Sequence, residues 1–359
     1  MKDLIKIVNE LFQIHLLSEK KEKNLYQLYF SKKNKLFFLK NERNLLEEYL
    51  QIEICNEIEK TNFYTRKLFS YISTLNGIII LDIKNSEIIK ILDKKYEPNF
   101  LNNELSASNL YYKNYPEIIN HSLIEEYQNI KYKFIKTDKI LSWTNWEKKL
   151  KILFDILFSK KRELIKEENK IYLLKMQKNL MNYNNHLYFF RKEFNRISPK
   201  LNLLLNTYSE NTNKYTYKLF SHGDITPNNI IQNNNTFYIF DWANGGIHTF
   251  IYDLMLQNLY FKDFVIWKEF SSINFLENED KEIFFGITKF YIQKVESLYN
   301  IKFSENDIKQ SIVYSLVEVF LKNLYRYQRK KYCNEGKLML EHIEFIIDNI
   351  LDSKVSSNV

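Results

Sequence analysis

The chain has 359 residues, of which 45% are hydrophobic and 16% aromatic, enough for a sizeable core and too many for an intrinsically disordered protein. Its 52 Lys and Arg against 44 Asp and Glu leave a formal charge of +8, but Lys, Asn, Ile, Tyr and Phe are inflated together, as AT-rich coding alone produces. Basic residues alternate with acids and build no concentrated basic helix face, which argues against nucleic acid as a partner; Cys55 and Cys333 are too isolated for a disulfide framework or a zinc site.

No run of about 18 apolar residues occurs, and the N-terminal segment mixes charged and apolar residues at helical spacing. The expectation is a cytoplasmic protein with no signal peptide and no membrane span. In chain order, Asn24–Phe30 and Leu36–Lys40 read as strands around a polar turn, and Asn41–Lys60 as a charged helix. Arg66–Ser73 and Gly77–Ile83 read as two further strands. Tyr96–Ile118, rich in Asn, Ser and Tyr with two prolines, reads as an irregular connector or an exposed insertion. Beyond Asn85 the texture is mainly helical, with amphipathic stretches at 146–158, 185–206, 281–298, 305–329 and 335–351. The expected fold class is α+β, with a small mixed β-sheet N-lobe over residues 1–84 and a large, mainly helical C-lobe over 85–359.

One stretch of the second part breaks the helical texture. Ser221–Gly246, "SHGDITPNNIIQNNNTFYIFDWANGG", holds three of the chain's six glycines and one of its four prolines. The runs "NIIQ" and "TFYIF" flank an Asn triplet and make a tight hairpin, since Asn tolerates the positive φ that such a turn demands. Asp224 and Asn229 precede that hairpin and Asp241 follows it. Three oxygen-bearing side chains on one sheet edge offer ligands to a hard cation such as Mg²⁺ and leave one carboxylate as a base.

The ordered set His222-Gly223-Asp224, Asn229 five residues on, Phe240-Asp241-Trp242 and Asp253-Leu254 resembles the aminoglycoside phosphotransferase and choline kinase-like branch of the protein-kinase-like fold. The residue after Asp241-Trp242 is Ala243 where Glu is frequent, and no glycine precedes Gly77. The resemblance implies a two-lobed kinase that moves the γ-phosphoryl of ATP or GTP to a hydroxyl of a small molecule, an amino alcohol, sugar or aminoglycoside-like compound. It implies Asp224 as catalytic base, Asn229 and Asp241 as Mg²⁺ ligands, and His222, Gly223 and Asp253 as support of the loop, with Pro227 stiffening it. By the same resemblance the strand Gly77–Ile83 is expected to lead into the interlobe hinge, and Lys40, ending a strand, to grip the nucleotide phosphates. A glutamate of the following helix pairs with it, Glu47 being preferred over Glu42, Glu48, Glu53 and Glu57. Trp143, Trp146, Trp242 and Trp267 offer material for an aromatic box, although aromatics at this abundance are mostly core. The alternative is a catalytically silent kinase-like scaffold that binds a nucleotide or a partner.

Overall fold

In the computed structural model of the chain, residues 8–9, 16–21, 25–31, 36–50, 53–54, 58–65, 69–73, 77–95, 97–135, 146–183, 190–209, 214–225, 229–260, 278–326 and eight positions between 337 and 351 are described. The N-terminal part builds one sheet from β1 (Leu17–Ser18), β2 (Tyr26–Ser31), β3 (Leu36–Phe38), β4 (Ile58–Thr65), β5 (Ser70–Ser73), β6 (Gly77–Asp82), β7 (Glu87–Asp93), β8 (Ile118–Ile124) and β9 (Tyr127–Lys133). Helix α1 (Arg43–Leu50) follows β3, and α2 (Phe100–Leu110) lies between β7 and β8. The strand order is β1-β4-β2-β3-β5-β6-β7-β9-β8, antiparallel throughout.

Period-2 alternation divides the side chains of this sheet between two clusters. Phe37, Tyr71, Ile78, Ile80, Ile89 and Ile91 pack with Val8, Leu16 and Leu28. Leu36, Phe38 and Leu81 pack with Leu46 of α1 and with Ile54. Because both faces are covered, β6 and β7 read as nearly continuous apolar runs. Within β7 the register that sends Ile89 and Ile91 to one cluster turns Lys90 to the other face.

Four expectations are corrected here. Of the helix expected over 41–60 the described residues show α1 after a 3₁₀ turn, while Ile58–Lys60 belong to β4, whose pairings with β2 and β1 override the helical preference of a charged run. The expected connector contains α2, whose buried face is Phe100, Asn103, Glu104 and Ala107. That i, i+3, i+4, i+7 stripe is helical in spacing but half polar, so hydrophobic periodicity does not show it. The expected boundary after residue 84 would cut between β6 and β7, which pair along their whole length; nor does β6 lead to a hinge, since it turns directly into β7. By contacts the chain divides into Met1–Leu141 with Pro227–Asn244, and Ser142–Thr226 with Gly245–Val359.

The second unit is mainly helical: α3 (Trp146–Leu157), β10 (Ile165–Glu168), α4 (Asn169–Tyr183), α5 (Arg191–Ser209) and β11 (Tyr215–Ser221) come first. The hairpin β12 (Ile230–Asn233) and β13 (Thr236–Ile239) then returns the chain to the first unit. The second unit resumes with β14 (Gly246–Thr249), α6 (Tyr252–Tyr260), α7 (Asn278–Tyr299) and α8 (Glu305–Arg326). Its core includes Phe154 of α3 against Tyr291 of α7, ring centroids 4.8 Å apart, and Phe194 of α5 against Phe320 of α8 at 5.8 Å. Helix α4 is an addition to the expected stretches, as are β10 and β14, which flank β11 in a three-stranded antiparallel sheet. Among the described residues no helix is long and apolar enough to cross a membrane.

Gly77, at the start of β6, sits where a Cβ would lie 1.9 Å from the carbonyl oxygen of Ile91. Gly77→Ala must push β6 and β7 apart and is expected to cost about 2–4 kcal/mol, read as a lowered urea midpoint at unchanged m-value.

Candidate active site

The hairpin β12–β13 closes over a two-residue turn in which Asn234 takes φ 51°, the left-handed conformation Asn accepts readily. At its open end Phe240 N–H donates to the Asn229 carbonyl at 3.1 Å. Asn229 and Asp241 therefore leave the same end of one hairpin, one residue out of register. Asp241 itself has φ 65°. A non-glycine residue there costs of order 1 kcal/mol, and such outliers persist where surrounding structure holds them.

What holds Asp241 is a buried cation. Lys90 Nζ, on β7, bonds Asp241 Oδ1 and lies 3.9 Å from Glu104 Oε1 of α2. The Lys90 side chain is 8% exposed and that of Glu104 0%. Glu104 Oε1 also accepts the backbone N–H of Trp242 at 3.0 Å, and Oε2 accepts the hydroxyl of Tyr115. Phe100 lies under the ammonium, 5.0 Å from centroid to Nζ. Burial works against the charge of Lys90, but the Asp241 and Glu104 carboxylates outweigh it and raise its pKa above the ordinary lysine value. Burial pushes the Glu104 carboxyl up to about 7; Asp241 adds to that rise, and Lys90 and the Tyr115 hydroxyl oppose it.

The His222-Gly223-Asp224 loop leaves the end of β11 in the second unit. Asp253, in the first turn of α6 and 1% exposed, accepts the backbone N–H of His222 through Oδ2 and that of Gly223 through Oδ1, both at 2.9 Å. His222 Nδ1 in turn accepts the N–H of Asp224 at 3.1 Å, which leaves the proton of a neutral ring on Nε2. Gly223 has φ 80°, where a side chain would be strained. These contacts fix the backbone that leads into Asp224. Gly246 pairs with Ser221 as the first residue of β14. That strand is anchored by Glu318 of α8, whose Oε2 accepts from Thr249 Oγ1 at 3.0 Å and Thr249 N–H at 3.3 Å, while Oε1 accepts from the Tyr172 hydroxyl and lies 3.7 Å from His248 Nδ1.

Lys40 and Glu47 are not brought together. Lys40 is exposed in a 3₁₀ turn after β3, and Glu47 pairs with Arg43 at 3.1 Å and accepts the Ile54 N–H at 2.8 Å. The lysine that reaches Asp241 is Lys90, and the glutamate beside it is Glu104. Asn229 and Asp241 belong to the first unit, Asp224 with His222, Gly223 and Asp253 to the second. Trp242 is fully buried and stacks on Tyr111 at 5.2 Å, a core role. Trp143, Trp267 and Pro227 lie outside the described residues.

No protein-family model matches the chain, and no curated protein matches it. Among solved structures it is similar to spectinomycin phosphotransferase APH(9)-Ia in complex with ADP and spectinomycin, with 16% identity over 88% of this chain and 98% of that one and a TM-score of 0.43. It is also similar to a thermostable mutant of aminoglycoside phosphotransferase APH(4)-Ia in a ternary complex with ADP and hygromycin B, at 9% identity, 97% and 98% coverage and a TM-score of 0.47. A choline/ethanolamine kinase family protein from Mesorhizobium loti matches at 9% identity over 78% of this chain and 92% of that one, with a TM-score of 0.44. Likenesses at this level assign no role to any residue.

Burial alone would raise the pKa of Glu318, but His248, Tyr172 and Thr249 outweigh it and hold it below the ordinary 4.5. A lowered folded-state pKa stabilises the fold above about pH 4.5, and that contribution is lost as the pH falls through the folded value. Glu318→Gln is therefore expected to be less stable than the parent at pH 7, with the gap in urea midpoints narrowing as the pH drops below 4.5.

Proposed function

We propose that the protein is an ATP-dependent small-molecule kinase that moves the γ-phosphoryl group to an alcohol hydroxyl. The observation that carries this reading is Lys90 held between the carboxylates of Asp241 and Glu104. Kinase-like phosphoryl transfer depends on a strand lysine paired with a glutamate of the helix behind it and on an Asp that takes the metal. Counted from β5, the strand of Lys90 is the third and α2 is the helix that follows it. Lys90 and Glu104 thus take the roles expected of Lys40 and Glu47, because four additional strands precede this set.

Asn229 and Asp241 supply an amide and a carboxylate oxygen from one hairpin end, hard donors of the kind Mg²⁺ accepts. Among the described residues no group of three or more His, Cys, Asp or Glu gathers to hold a metal. A pair of protein oxygens completed by phosphate oxygens and water is the usual Mg²⁺ arrangement at a nucleotide. Mg²⁺ held there would neutralise phosphate charge. Lys90 then holds the non-transferred phosphates, with Glu104 fixing its position from behind. Asp224, on a loop whose amides are fastened by Asp253 and His222, orients the acceptor hydroxyl and takes its proton. In the transfer the bond from the γ-phosphorus to the bridging oxygen breaks, the bond to the acceptor oxygen forms, and the nucleoside diphosphate leaves. The acceptor class we favour is a small hydroxyl-bearing metabolite, an amino alcohol or a sugar.

ATP-dependent phosphorylation of a panel of amino alcohols, sugars and aminoglycosides tests the reading. Asp224→Asn is expected to lower product formation about 10²–10⁴-fold. Lys90→Met is expected to raise the KM for ATP, and Lys40→Ala to leave both kcat and KM unchanged. Turnover indifferent to Asp224→Asn would remove the mechanism, and Mg·ATP binding without turnover of any acceptor would leave a nucleotide-binding scaffold.

A further inference from the structure

The five residues after α2, Tyr111 to Tyr115, are fastened to both halves of the phosphate-gripping assembly. Tyr111 N–H closes α2 on the Ala107 carbonyl at 2.8 Å, and Asn114 N–H turns back to the Tyr111 carbonyl at 2.7 Å. That tight turn aims Asn114 at the hairpin. Its carbonyl accepts Ile239 N–H at 2.8 Å, and its Nδ2 donates to the Phe237 carbonyl at 2.9 Å. The neighbouring Tyr115, 3% exposed, sends its hydroxyl the other way, to Glu104 Oε2. The ring of Tyr111 covers Trp242, whose N–H is bound by the other oxygen of the same carboxylate.

Resting on the function proposed above, we infer that Asn114 and Tyr115 are positioning residues for nucleotide binding. They lock the helix that carries Glu104 to the hairpin that carries Asp241, so that Lys90 is presented at one fixed point between the two carboxylates. A glutamate enclosed on all sides has two oxygens to satisfy: the backbone N–H of Trp242 and Lys90 lie on one, and the Tyr115 hydroxyl holds the other away from the ammonium. Asn114, pairing with alternate residues of β13 as a short added strand would, sets how far along α2 the hairpin sits.

Titration calorimetry with Mg·ATP on the full chain tests this with wild type, Tyr115→Phe, Asn114→Ala, Lys90→Met and the double variant Lys90→Met/Tyr115→Phe. Tyr115→Phe keeps the ring and removes only the hydroxyl, and is expected to weaken binding about 10-fold, the order for one hydrogen bond to a charged group. Because the residue acts through Glu104 on Lys90, it is expected to add nothing in the Lys90→Met background. Equal affinity of Tyr115→Phe and wild type would overturn the inference and leave the kinase reading standing. So would the same 10-fold loss in both backgrounds, which marks general support of the fold. Should Tyr115→Phe not fold, Asn114→Ala in the same cycle decides on the same criteria. A wild type that binds no Mg·ATP removes the kinase reading, and this inference with it.

Discussion

A lysine in the middle of a covered sheet is the constraint from which the first unit follows. Lys90 has Ile89 and Ile91 on either side in sequence, its strand is hydrogen-bonded along both edges, and its side chain is only 8% exposed, so the ammonium is largely withdrawn from bulk water. An unpaired charge in such a place costs several kcal/mol, and breaking a buried pair typically costs about 3–5 kcal/mol. Two carboxylates answer it, and each imports an element: Glu104 brings α2, and Asp241 brings a hairpin from 151 residues further along the chain. The hairpin thus belongs with the N-terminal sheet and not with its neighbours in sequence. The compensation is tuned, not complete, since the Glu104 carboxyl remains pushed up to about 7 by the burial that the arrangement requires.

In the second unit two carboxylates hold backbone. Asp253 captures two successive amides of the His222-Gly223 turn, and Glu318 captures the amide and hydroxyl of Thr249 on the strand beside it. Buried polar groups keep their geometry only while every partner is in place, which makes such capture more directional than apolar packing. Gly223 beside Asp224 and Asp241 itself both take positive φ, 80° and 65°. The first has no side chain, and the second has a carboxylate fastened to Lys90.

The residues legible from sequence were those whose relation is local. The Asn turn, the order from His222 to Asp253 and the periodicity of α3, α7 and α8 each occupy a short window, and they fold much as their patterns require. Lys90 and Glu104 were missed for opposite reasons. The lysine stands inside the apolar run Ile88–Leu92, and a lysine is seldom fully buried unless paired, so the signal was present but carried no address for its partner. The glutamate lies on a helix whose inward stripe holds Asn103 as well, and a search for apolar periodicity passes over it. Lys40 ends an apolar strand just before a helix, and that local pattern competes with the one around Lys90.

By itself the sequence determined an α+β chain, the hairpin with its Asn turn, the tight loop around Asp224 and the ordered set of oxygen-bearing side chains, because backbone sterics and short-range hydrogen bonding act over a few residues. Tertiary structure alone decided which lysine meets Asp241, which helix supplies the opposing carboxylate and where the first unit ends. Those outcomes rest on burial and charge pairing between residues far apart in the chain, and the energy of such a pair depends on the space it is enclosed in, not on the spacing of its letters.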